Sequence, residues 1–97
     1  MGAEIFRVTA QGLSATAAFA TARQEALHEY GHGGYTGSIA EKQLFRMVDI
    51  PAGFDAWQYA EDWAAWPDSA FWQDKWGPAA CAQVGPQEFI FWGWASS

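Results

Sequence analysis

Hydrophobic and polar positions alternate from Glu4 to Thr9. Ile5, Arg7 and Thr9 fall on one side and Phe6 and Val8 on the other, which predicts a first strand. Gln11-Gly12 turns the chain, and Ser14 is placed to cap a helix running to about Tyr30. Phe19, Ala22, Ala26, Leu27 and Tyr30 keep helical spacing and predict its buried stripe, with Arg23, Gln24 and Glu25 toward the outside. Gly31, Gly33 and Gly34 end that helix. Tyr35 to Glu41 is expected as a second strand and Leu44 to Ile50 as a third, the latter with Phe45, Met47 and Asp49 on one face. After the breaker Pro51-Ala52-Gly53, Asp55 to Trp66 predicts a helix halted by Pro67, and Asp68 is expected to cap a third helix through about Lys75. Ala79 to Val84 and Glu88 to Trp94 predict two strands joined at Gly85-Pro86. The last strand is apolar on both sides, Phe89 and Phe91 on one and Ile90, Trp92 and Trp94 on the other, so it belongs inside a sheet covered twice.

The resulting order, β-α-β-β-α-α-β-β, predicts an α+β fold: an antiparallel sheet of about five strands packed against helices. At 97 residues, positions 1–97 are expected to form a single domain. Half the residues are hydrophobic and 18% aromatic, which argues against disorder. Most of the seven Trp are expected in the core, where a small domain needs their area, with one or two left exposed as interface anchors. No stretch approaches 18 consecutive apolar residues, so no membrane span is expected. Met1-Gly2 begins like a myristoylation signal, but Phe6 stands where Ser or Thr is needed. Cys81 is the single cysteine, which fits a reducing cytoplasm and excludes an intrachain disulfide. Flanked by Ala80 and Ala82, it reads as an inert buried thiol.

Charge changes the picture more than composition does. The net charge of −6 opposes direct binding to DNA, RNA or an anionic membrane and favours encounter with cationic partners. The charge is also clustered. No Lys or Arg occurs from Met47 to Asp74, yet Asp49, Asp55, Glu61, Asp62, Asp68 and Asp74 stand there, interleaved with Trp57, Trp63, Trp66 and Trp72. Carboxylates held together without cations repel one another, so a domain that keeps them is expected to use their field. Asp55 and Asp62 are seven residues apart, as are Glu61 and Asp68, about two helical turns. On a continuous helix these pairs would project along neighbouring outer faces. Carboxylates so spaced stand in for backbone phosphates before Lys and Arg side chains.

One motif points elsewhere. His28-Glu29-Tyr30-Gly31-His32 spells H-E-x-x-H, in which two imidazoles one helical turn apart bind zinc and the Glu polarises the bound water. A small zinc-dependent hydrolase is therefore the alternative reading. Against it, Gly31 lies inside the motif with Gly33 and Gly34 directly after, and the extended form of the motif fails at Tyr35 and Ser38. The glycine-rich run His32 to Gly37 lacks the Gly-Lys-Ser/Thr of a phosphate loop, and Ser14, Ser38 and Ser69 lack a nucleophile-elbow setting. No catalytic residue, metal ligand or cofactor is assigned.

Two stretches, Gly34-Tyr35-Thr36-Gly37-Ser38-Ile39-Ala40-Glu41-Lys42 and Lys75-Trp76-Gly77-Pro78-Ala79-Ala80-Cys81, resemble segments of small proteins carried by phages and mobile elements. The format of the whole chain is similar to that of anti-CRISPR proteins: short, acidic, one domain, without a catalytic signature. The resemblance implies a cytoplasmic inhibitor of a host-defence complex, several of which act as DNA mimics on basic DNA-binding surfaces of CRISPR-Cas effectors. It carries no residue roles. The expectation is therefore a non-enzymatic acidic protein whose partner is a basic nucleic-acid-binding protein or complex.

Overall fold

A strand that is apolar on both sides has to be covered on both sides. In the computed structural model, which describes residues 2–97, β4 (Glu88–Ser96) is an inner strand. It pairs antiparallel with β1 (Ala3–Gln11) and with β3 (Ala79–Gly85). A short β2 (Phe45–Met47) completes the sheet, in the order β1-β4-β3-β2. The turn Pro86-Gln87 closes the β3–β4 hairpin, and a register shift between Gln83 and Gly85 marks a bulge beside it.

The first face is covered by α1 (Ala15–Tyr30). The Ser14 hydroxyl accepts from the Ala17 N–H and starts the helix as the sequence predicts. Phe19 is the one bulky side chain of the buried stripe; Ala18, Ala22 and Ala26 let the helix lie close on the sheet. They pack with Phe6, Ala10, Cys81, Phe89 and Phe91. Tyr30, expected in the stripe, is exposed; as the last residue of the helix it stands at the rim of a groove beside β1.

The second face is covered by the tryptophan-rich segment. There α2 (Ala56–Glu61) and the 3₁₀ turns Trp63–Ala65 and Phe71–Gln73 set Tyr59, Ala60, Trp66 and Trp72 against Ala80, Ala82, Ile90 and Trp92. Trp72 is the hub, 5.6 Å from both Trp66 and Trp92 between ring centroids and 5.1 Å from Phe71, each in edge-to-face geometry. Gly93 makes this approach possible. It sits in β4 at φ 149°, and a Cβ there would stand 3.1 Å from the Trp72 carbonyl oxygen. Phe89 and Phe91 thus face α1 while Ile90 and Trp92 face the indoles, as the alternation of β4 predicts.

The α+β class holds, with four corrections. Tyr35–Glu41 is not a strand. Gly34, Tyr35 and Gly37 take positive φ of 79°, 57° and 71°, and Ser38 caps a 3₁₀ turn over Ile39–Glu41. Glu41 Oε2 accepts from both the N–H and the hydroxyl of Thr36, so local polar bonds replace a ladder. The sheet therefore has four strands among the described residues. It is mixed, because the chain between β2 and β3 crosses the second face and returns to run parallel with β2. The helix expected over Asp55–Trp66 stops at Glu61, where Asp62 leaves helical geometry at ψ 75°. The third helix is the single turn Phe71–Gln73, which starts from Ala70 and has no side-chain cap, so Asp68 does not cap it.

Candidate partner-binding surface

All six carboxylates of the basic-free segment are exposed, and all belong to the layer over the second face, whose inner side chains are Val48, Tyr59, Trp66 and Trp72. They do not form the helical stripe that their spacing predicts, since α2 is too short to carry Asp55 and Asp62, or Glu61 and Asp68, through two turns. Asp55 caps α2, its Oδ2 accepting from the N–H groups of Trp57 and Gln58. Glu61 and Asp62 meet at the other end of α2, where with Phe54, Gln58 and Trp63 they line an open depression of about 480 Å³. Asp49 follows β2 and so leaves from the edge of the sheet opposite β1. Asp68 lies in the loop between the two 3₁₀ turns. Asp74 closes the second of them, its Oδ1 accepting from the Trp76 N–H.

Cations are distributed differently. Arg7 reaches from β1 to α2, where its guanidinium lies 3.6 Å from the Trp57 ring centroid and donates to Glu61 Oε2 at 2.6 Å. Arg23 donates to the Ala40 carbonyl, and Arg46 stands 5.0 Å over the Phe71 ring. Lys75 donates to the Gly2 carbonyl and stands 5.2 Å over the Trp76 ring. Lys42 is 1% exposed and donates to three carbonyls, those of Asp74, Lys75 and Gly77. Burial pushes its pKa down to about 8, against the nearby Asp74 charge, which raises it. Each of the five cations is thus held by the protein's own groups, while Glu61 is the one carboxylate in a salt bridge among the described residues.

Aromatic exposure exceeds the expectation of one or two tryptophans. Trp66, Trp72 and Trp92 are buried, but Trp57, Trp63 (63% exposed) and Trp76 (64% exposed) face solvent. Trp57 and Trp63 flank the carboxylates of α2. Trp76 makes a second feature that the sequence pattern hides. It meets Tyr35 edge-to-face at 6.4 Å, and with Leu44 these two line a groove of about 550 Å³. The segments Gly34–Lys42 and Lys75–Cys81 come together there, tied by the Lys42 ammonium. The spacing of Trp72 and Trp76, four residues apart, predicts both on the inner face of the third helix; that element is a single turn ending at Gln73, so Trp76 falls beyond it and is exposed.

The geometry around His28 and His32 is that of a helix end. The helix stops at Tyr30, Gly31 follows at φ 86°, and His32 lies beyond, out of the one-turn register with His28. No group of three or more His, Cys, Asp and Glu side chains among the described residues is arranged to hold a metal ion. Cys81 is fully buried and burial pushes its thiol pKa up to about 12, which fits the inert role its alanine neighbours suggest. No helix among the described residues is long and apolar enough to cross a membrane. No family model, curated protein or solved structure matches this chain.

Proposed function

We propose that this protein is a non-enzymatic binder that occupies a Lys/Arg-lined nucleic-acid site on a partner, presenting its tryptophan-rich layer as a substitute polyanion. The observation that carries the reading is the imbalance of pairing on that layer. It bears six exposed carboxylates and no cation of its own; from outside it are reached only Glu61, by Arg7, and Asp74, by the nearby Lys42 charge, while Arg46 is turned onto Phe71. Four of the six, Asp49, Asp55, Asp62 and Asp68, therefore keep their field for an incoming surface. Exposed Trp57 and Trp63 beside Asp55, Glu61 and Asp62 add apolar area of the kind that anchors interfaces. The likeness to anti-CRISPR proteins proposes the class of partner, a CRISPR-Cas effector in the cytoplasm of a host cell, with DNA as the ligand displaced.

The test is displacement of fluorescent target DNA from a panel of such effectors by the purified protein. Displacement from at least one effector, lost in a variant carrying Asp62→Lys and Asp68→Lys, is expected. Failure to displace DNA from any member removes the proposed partner class. Displacement that the double variant performs equally well removes the electrostatic mechanism.

A further inference from the structure

The two edges of the sheet are built differently. The β2 edge is three residues long. The β1 edge is nine residues long, in continuous register with β4, without a bulge or a proline. Gly2 and Ser97 exchange both backbone hydrogen bonds, and Gly12 donates to the Gln87 carbonyl. In an antiparallel pair such bonded positions alternate, so Gly2, Glu4, Phe6, Val8, Ala10 and Gly12 turn their backbone groups to β4. Ile5, Arg7 and Thr9 therefore turn theirs outward. A long, regular, uncovered edge is a template for another strand unless it is blunted. Here it opens into a groove of about 330 Å³ whose far wall is the second half of α1.

The geometry points to β1 as an acceptor edge for an extended cationic peptide, added as a fifth strand beside α1. Strand addition of this kind takes affinity from backbone bonds and selectivity from alternate side chains. Glu4, Glu25 and Glu29 line the groove, exposed and in no salt bridge among the described residues. The one cation of its lining, Arg7, sends its side chain to the opposite face, onto Trp57 and Glu61. Ala22 and Ala26 leave room on the helix wall for the stems of long side chains. A strand with Lys or Arg at every second position fits this wall. A second copy of the chain would bring the same three carboxylates and another net charge of −6. The proposal does not depend on the acidic layer over the second face.

The probe is an acetylated, amidated peptide Thr-Lys-Val-Arg-Val-Lys-Thr. The controls are the same peptide with Glu at its three basic positions, and one N-methylated at alternate amides. Amide exchange and chemical shifts of the full chain are followed by NMR at 150 mM salt. Slowing of about tenfold or more at the Ile5, Arg7 and Thr9 amides is expected with the cationic peptide and with neither control. Glu25→Lys with Glu29→Lys, both on exposed helix positions, should weaken binding about tenfold, whereas Asp62→Lys with Asp68→Lys should change it less than about twofold. The proposal is overturned by binding that leaves those three amides unchanged, by equal binding of the N-methylated peptide, or by no binding. Concentration-dependent protection of the same amides before peptide is added would give the edge to a second copy and overturn it as well.

Discussion

Lys42 shows how a single charged side chain organises a segment without regular structure. Its ammonium joins the carbonyls of Asp74, Lys75 and Gly77, which belong to no helix or strand, to the 3₁₀ turn it follows. Lys42→Met keeps the stem but leaves the Lys75 and Gly77 carbonyls unpaired, the Asp74 carbonyl keeping only the Gly77 N–H, and should lower unfolding free energy in urea by about 2–3 kcal/mol. The same residue sets a pH signature. Its folded pKa, about 8, lies below its ordinary 10.5, so the unfolded chain holds the extra proton between those values and stability rises with pH across that window. Cys81 acts in the opposite sense. Its folded pKa of about 12 exceeds its ordinary 9.0, so its contribution is complete below pH 9 and is lost as pH climbs toward 12. Burial also raises Tyr59, which adds to the loss at high pH. Urea titrations should show stability rising from pH 8 to 9, levelling as the two effects oppose, then falling above about 10.5. Each group contributes a slope of at most about 1.4 kcal/mol per pH unit. Lys42→Met should remove the rise and Cys81→Ala should reduce the fall. Arg7 and Glu61 make a further contrast at this scale. Glu61 is 68% exposed, so Glu61→Gln should cost less than about 1 kcal/mol. Arg7→Ala also strips the guanidinium from the Trp57 face and should cost more than Glu61→Gln in the same titration.

Among the elements, the ones visible in the sequence are those whose periodicity is long and whose ends are marked. Helix α1 has its Ser14 cap, its stripe and its terminal glycine, and it spans what the pattern predicts. Strand β4 declares its inner position through apolar residues on both faces. The segment 34–77 was less legible because its structure depends on partners remote in sequence. Tyr35–Glu41 is expected as a strand, but the polar bonds of Thr36, Ser38 and Glu41 and the positive φ at Tyr35 hold it in a turn. Trp63 and Trp66 are three apart, as are Trp57 and Ala60, as on the inner stripe of one helix, yet the chain breaks after Glu61 and Trp66 donates its Nε1–H to the Tyr59 carbonyl at 2.7 Å and joins the indole cluster. Of the acidic site, the exposure of each carboxylate and their shared layer follow from the segment's composition; the expected stripe does not, because it required a helix that stops early. The element-scale prediction concerns Gly93. Ala there must adopt φ near 149° and push against the Trp72 carbonyl, so Gly93→Ala should destabilise the fold by about 2–3 kcal/mol and disturb Trp fluorescence through the Trp72–Trp92 contact.

For the whole molecule, charge is sorted by layer. Helix α1 and the sheet contribute Arg7, Arg23 and Arg46, and Lys42 and Lys75 lie in the connections that flank the tryptophan segment, each of the five tied to a carbonyl, a carboxylate or a ring. The segment itself contributes carboxylates and indoles. The outcome is a thin body, 38 × 31 × 17 Å, whose tryptophan-rich side is acidic and aromatic. On the proposed reading, that side is the one that meets a basic groove. Its field extends only about 8 Å at physiological salt, so it acts on surfaces in contact and steers those just beyond. The most direct measurement is the salt dependence of affinity for an effector whose DNA the protein displaces, taken between about 50 and 300 mM salt with the native protein and with the Asp62→Lys, Asp68→Lys variant. Native affinity should fall about tenfold or more across that range, and the variant should bind more weakly with a shallower slope. Equal affinities and equal, flat slopes for the two proteins would rule out recognition through the acidic layer.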